Sequence, residues 1–92
     1  RSDAQILCAQ VADQLLTVKG VKSSFVAGRN EAGKTVISAR SLGEVNVQVI
    51  MEKFGGGGHL TTAAAQVDSG IGETIKKIMD MMEVEQDDSN LK

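Results

Sequence analysis

Proline, tryptophan and tyrosine are absent from this 92-residue chain, and cysteine and histidine each occur once. Each shortage removes a class of function. With Phe25 and Phe54 as the only rings, the chain lacks the row of aromatic faces on which single-stranded nucleic acid stacks. A lone Cys8 forms no internal disulfide, and with no secretory signal in view a reducing compartment is expected. Cys8 and His59 stand far apart, and no H-E-x-x-H, EF-hand or paired-cysteine spacing occurs, so no metal site is expected in these residues. The apolar runs fall far short of the roughly 20 residues that cross a bilayer. The chain therefore reads as soluble, with no membrane contact of its own. Excess positive charge is missing too. Ten Lys and Arg stand against twelve Asp and Glu, a net charge of −2, and no basic field is available to gather a polyanion.

What is present is the material of one small globular domain covering residues 1–92. Its 41% apolar and 24% charged residues exclude a disordered chain, and its length excludes a second core. Charge is uneven: residues 1–60 carry seven basic against five acidic side chains, and residues 61–92 carry three against seven. An anionic ligand is expected to meet the first part. The chain opens on Arg1 in place of Met, which suggests a piece of a longer polypeptide.

Periodicity supplies the elements. Ser2 and Gln5 fit a capping box, and Leu7, Val11, Leu15 and Val18 then predict a helix with a buried stripe, Cys8 beside it as core filler, stopped at Gly20. From Val21 to Ala27 the period changes to two. A turn at residues 28–33 and a returning strand at residues 35–40 complete a hairpin. Asn46 caps a second helix with Val47, Ile50, Met51 and Phe54 on one face, ending at Gly55. Residues 61–67 read as a third strand, although Ala63, Ala64 and Ala65 suit a helix equally. Ile71, Ile75, Ile78 and Met82 mark a last helix capped by Asp68 or Ser69, followed by a frayed acidic tail at residues 83–92. The expected fold class is α/β, a small sheet of a hairpin and at least one further strand packed with about three helices in the order α-β-β-α-β-α.

One passage asks for more than a scaffold. Gly55-Gly56-Gly57-Gly58-His59 places four residues of highest unfolded-state entropy in a row, tolerable where the backbone needs positive φ or another group must come close. Glycines of alternating handedness can turn their N–H groups inward as an anion-binding nest, with the neighbouring imidazole as a further donor. A plain flexible connector is the blander alternative. The P-loop pattern fails, because its later glycine and lysine would fall on Leu60 and Thr61, and the dinucleotide fingerprint fails at Leu60 as well. Arg40 and Ser41 close the second strand, where ligand-contacting groups are common. Ser38 and Arg40 share a face by the period-two rule. Asn46 reads foremost as a helix cap. No nucleophile with a positioned base is visible, so a complete active site is not expected.

The segments Ile37-Ser38-Ala39-Arg40-Ser41, Asn46-Val47 and Phe54-Gly55-Gly56-Gly57-Gly58-His59-Leu60-Thr61-Thr62-Ala63-Ala64 resemble the DHH-associated domain that follows the DHH phosphoesterase domain in RecJ-like proteins. The wording is nearest to the GdpP-like branch, the cyclic di-AMP phosphodiesterases of Gram-positive bacteria. The resemblance implies a nucleotide-phosphate-binding half of a manganese-dependent enzyme that hydrolyses cyclic di-AMP to linear pApA. It implies that Gly55, Gly56, Gly57, Gly58 and His59 contact substrate phosphate, with Arg40 and Ser41 as neighbours. The manganese ions would be held by the DHH domain, whose D-H-H motif does not occur here. Implied partners are a cyclic dinucleotide or short oligonucleotide, the DHH domain of the same polypeptide and, as one open assembly, a second copy of the chain. The implied setting is a cytoplasmic domain of a parent anchored in the bacterial cell membrane. Alternatives are an RNA- or tRNA-binding appendage, which the acidic balance disfavours, and the equivalent domain of a nanoRNase or RecJ-like exonuclease.

Overall fold

A computed structural model describes residues 3–90, with side chains for residues 3–82. Seven elements follow one another: α1 (Asp3–Leu15), β1 (Ser23–Arg29), β2 (Thr35–Ser41), α2 (Val47–Glu52), β3 (Gly57–Gly58), β4 (Thr62–Val67) and α3 (Ile71–Asn90). The strands form one antiparallel sheet in the order β1-β2-β4-β3. The fold is α/β as expected, with one strand more than the periodicity shows. That strand is Gly57–Gly58, whose glycines carry no β-propensity and so leave no pattern to read. Residues 62–67 resolve to strand over helix, because pairing with β2 buries Ala63 and Ala65.

β2 lies between β1 and β4 and is covered on both faces, so nearly all of it is buried. On one face Ile37 and Ala39 join Ala63, Ala65, Val47, Ile50, Met51 and Ile78 in the main core. This is the face of α2 and α3. On the other face lie Ser24, Ser38 and Arg40, against α1. The buried Ser24 hydroxyl donates to the Ala12 carbonyl at 2.8 Å, and Gln5 Nε2 reaches the Ser38 hydroxyl at 3.4 Å.

The packing face of α1 differs from the expected stripe. Cys8 and Ala12 are buried, whereas Leu7 and Val11 are 58% and 42% exposed, and Leu15 and Val18 are exposed as well. The helix lies so close to β1 that a Cβ at Gly28 would come within 2.9 Å of Cys8 Sγ. Only the small residues of α1 fit that gap, and the large ones are left outside. The helix also ends earlier than expected, at Leu15, with a turn through to Gly20 (φ 92°). Ser2 lies outside the described residues, and Gln5 is engaged by Ser38.

The strand and turn boundaries shift by a residue or two. β1 continues through Gly28 and Arg29, and the turn tightens to residues 30–34, where the Asn30 side chain accepts from the Ala32 and Lys34 N–H groups, each at 3.0 Å. Asp68, an expected cap of α3, is drawn instead to Lys34, whose Nζ lies 2.5 Å from its carboxylate. Helix α3 runs on through the acidic segment as far as Asn90.

Candidate functional site

Asn46 caps α2 as expected, its side chain accepting from Val49 N–H at 3.2 Å. The far end of α2 explains the first two glycines. Gly56 N–H donates to the Met51 carbonyl at 2.9 Å and Gly55 N–H to Glu52 at 3.0 Å, with Gly55 left-handed at φ 83°. That pair of bonds is a Schellman motif. A Cβ on Gly56 would overlap the Ala64 carbonyl oxygen and sit 2.6 Å from Ala65 Cα. Both N–H groups are thus committed to helix carbonyls, and neither belongs to the anion nest expected from the sequence.

Gly57 and Gly58 pair with Ala64 and Ala63 as the short edge strand. His59 N–H donates to the Thr62 carbonyl at 2.6 Å, and Thr62 N–H returns to His59 at 3.3 Å. These bonds make a tight hairpin with Leu60 and Thr61 at its tip. Alternation of an antiparallel ladder then turns the Gly58 N–H away from β4, toward the open edge. Gly58 is itself demanded by the fold, with φ 148° and a Cβ position 2.5 Å from Ala63 Cα. Gly57 is different. Its φ lies outside the left-handed region, and a Cβ there would meet nothing within 4 Å.

The hairpin tip ties the site together. Leu60 carbonyl accepts from Val47 N–H at 3.1 Å, and Thr61 carbonyl from Ser41 N–H at 2.9 Å. The end of β2, the start of α2 and the glycine edge therefore meet at one end of the sheet. Arg40 is paired with Thr62, and Thr62 with His59 across the turn, so Arg40 and His59 stand about two strand spacings apart, roughly 10 Å. Directly paired residues share a face. Arg40 and Thr62 form one row, and Ser38, Ala64 and Gly57 the next. Helix α1 covers β1 and β2 on this face, while Thr62 and Gln66 of β4 remain exposed and Ala64 half-buried. The result is an open floor of small side chains and bare backbone, walled on one side by α1.

Arg40 lies at that wall. Its Nε donates to Asp13 Oδ1 at 2.6 Å and Nη1 to the Ala39 carbonyl at 2.9 Å. His59 is exposed beside the glycines. Ser41 falls on the opposite face by alternation and is buried. Its hydroxyl accepts from Gly43 N–H at 2.9 Å and Val45 N–H at 3.3 Å, shaping the loop into α2. The structure brings together Arg40, Gly57, Gly58, His59, Thr62 and, from outside the motif segments, Asp13. Thr62 was legible only as a hydroxyl near the glycines. Asp13 carries no sequence signal, being 27 residues from Arg40.

Among the described residues no group of three His, Cys, Asp or Glu side chains could hold a metal ion, so these residues do not fit a manganese site. An apolar groove of about 410 Å³ opens on the other face between β1 and α3, lined by Phe25, Ala27, Ile75, Ile78, Met79 and Met82 among others. It has no cationic side chain and does not suit a phosphate. No described helix is long and apolar enough to cross a membrane.

Comparison with known proteins gives the family of the chain and its relatives. The DHHA1 domain family matches residues 4–85. The chain is 59% identical over 75 residues to the cyclic-di-AMP phosphodiesterase GdpP of Geobacillus thermodenitrificans, covering 80% of this chain and 11% of that protein. It is 58% identical over 67 residues to GdpP of Bacillus subtilis, covering 73% and 10%. It is 51% identical over 75 residues to the cyclic-di-AMP phosphodiesterase PdeA of Listeria monocytogenes, covering 80% and 11%. The chain thus spans about a tenth of the length of these relatives.

Proposed function

The chain belongs to the DHHA1 domain family, and from that membership we propose that it is the nucleotide-phosphate-binding part of a manganese-dependent phosphodiesterase that hydrolyses cyclic di-AMP to linear pApA. Three relatives that bear the name cyclic-di-AMP phosphodiesterase support the substrate class. The observation that carries the reading to this chain is Gly57. Three of the four glycines are required by a helix cap, a positive φ or a close backbone contact, and the fourth is not. A glycine that the fold does not need, two strands from Arg40 on the same open face, leaves room for another group to approach the main chain closely.

In this reading the phosphodiester lies across the open floor. The Arg40 guanidinium and the outward Gly58 N–H donate to its non-bridging oxygens, and His59 adds a donor from the hairpin. Ser41, Gly55 and Gly56 hold the loop and the edge strand in shape around them. Such donors fix the ester in place and favour the charge that builds on its oxygens during cleavage. Manganese ions, which would be held by a DHH domain of the same polypeptide, would supply the activation of water. The proposed setting is a cytoplasmic domain of a membrane-anchored parent.

The test uses the full-length polypeptide with manganese, offered cyclic di-AMP, pApA, short RNA and tRNA. Cleavage of cyclic di-AMP to pApA, with turnover lowered in His59→Ala while metal binding persists, is the expected result. Binding of tRNA without hydrolysis of the cyclic dinucleotide would sink the reading, and preference for short RNA would move it to the nanoRNase branch.

A further inference from the structure

An arginine that binds a phosphate through two parallel N–H groups must hold its plane at a set angle, and its long side chain does not do so unaided. Arg40 is 13% exposed at its side chain, and two of its donors are already spent. Nε goes to Asp13 on α1, and Nη1 to the Ala39 carbonyl. The Nε contact fixes rotation of the guanidinium plane about the end of the side chain. Nη2 has no protein partner among the described residues. Helix α1 closes the β1 side of the group, since the neighbouring Ala12 carbonyl is bonded to Ser24, the residue paired with Arg40 across β1. The side left uncovered is that of Thr62 and the glycine edge.

As a stabilising device the ion pair has little to offer, because Asp13 is 64% exposed and exposed pairs of this kind contribute little. We propose that Asp13 is a positioning residue: it orients the Arg40 guanidinium so that its free N–H groups face the phosphodiester on the open floor. This rests on the reading of that floor as the phosphate site. The opposite role, a carboxylate that occupies the guanidinium and must be displaced by substrate, predicts the reverse effect of removal.

The test is steady-state kinetics and equilibrium binding of cyclic di-AMP by the full-length polypeptide carrying Asp13→Asn, Asp13→Glu, Arg40→Ala or Asp13→Asn with Arg40→Ala. Loss of the acceptor's charge, with an amide oxygen left in its place, weakens the orienting hydrogen bond and should raise KM by about 3- to 10-fold in Asp13→Asn with kcat within about 2-fold. Asp13→Glu should recover most of that loss. In the Arg40→Ala background, Asp13→Asn should add nothing, since residues that act as a unit are not additive. Glu44→Gln, which removes the exposed ion pair with Lys22, should leave KM unchanged, and Asp13→Asn should leave the melting temperature unchanged. A raised KM in Arg40→Ala with none in Asp13→Asn overturns the positioning role and leaves the phosphate site standing. A lowered KM in Asp13→Asn overturns it in favour of competition. An unchanged KM in Arg40→Ala, or a wild-type chain that neither binds nor cleaves cyclic di-AMP, overturns both.

Discussion

Gly56 and Gly57 are neighbours with opposite reasons for lacking a side chain. Gly56→Ala forces a methyl into the backbone of β4, which should cost at least about 1–3 kcal/mol as an overpacked site and lower the melting temperature. Gly57→Ala meets empty space and restricts the unfolded chain, so stability should hold or rise by about 0.4–1 kcal/mol. In the full-length polypeptide the same Gly57→Ala change should raise KM for cyclic di-AMP, because its methyl stands on the proposed floor. Thermal melts beside kinetics check both, and a Gly57→Ala variant with unaltered KM would remove Gly57 from the site. Asp68 provides a pH test away from the site. A hydrogen bond from Lys34, and then its charge, lower the Asp68 carboxyl below its ordinary value of 3.8. A lowered folded-state pKa means stability that is present above the ordinary value and lost as pH falls through the lowered one. The melting-temperature difference between the native chain and Asp68→Asn should be small at neutral pH, weaken with salt and close in acid. Burial raises the Cys8 thiol, so Cys8 should react slowly with thiol reagents in the native state.

At the scale of elements, α1 shows how far periodicity carries. Its helical spacing and Cys8 in the core were legible in the sequence. Its orientation was not, because a stripe of large apolar residues outweighs small ones in any pattern of hydrophobicity. Substituting Gln for Leu7 or Val11 should shift stability by no more than about 0.5 kcal/mol, the range for exposed sites. Enlarging Ala12 to Leu should cost about 1–3 kcal/mol by overpacking against Ser24 and β1. Urea unfolding of the three variants distinguishes the faces. The second helix was more readable, since Asn46, the i, i+3, i+4 spacing of Val47, Ile50 and Met51 and the stop at Gly55 are all local signals. The candidate site was legible as a motif in Gly55, Gly56, Gly57, Gly58 and His59. Gly55 is a local helix stop, but the division of the other three into two that serve the fold and one that does not could not be read, because those answers depend on β4 lying alongside.

For the molecule as a whole, the described residues hold the proposed hydrogen-bond donors to phosphate and no metal cluster. A preparation of residues 1–92 alone, given manganese and cyclic di-AMP, should show no turnover, while the full-length polypeptide should cleave the cyclic dinucleotide. Measurable hydrolysis by the isolated domain would overturn the division of labour. The amino-acid order by itself determined the three helices, the first hairpin, the cap and stop of α2, and the demand for a bare backbone before His59, because those properties act over a few neighbouring residues. Only the tertiary structure decided which face α1 buries, which glycine is spare and that Asp13 meets Arg40. Each of these turns on the volume and polarity of groups brought together from distant parts of the chain, which no local pattern encodes.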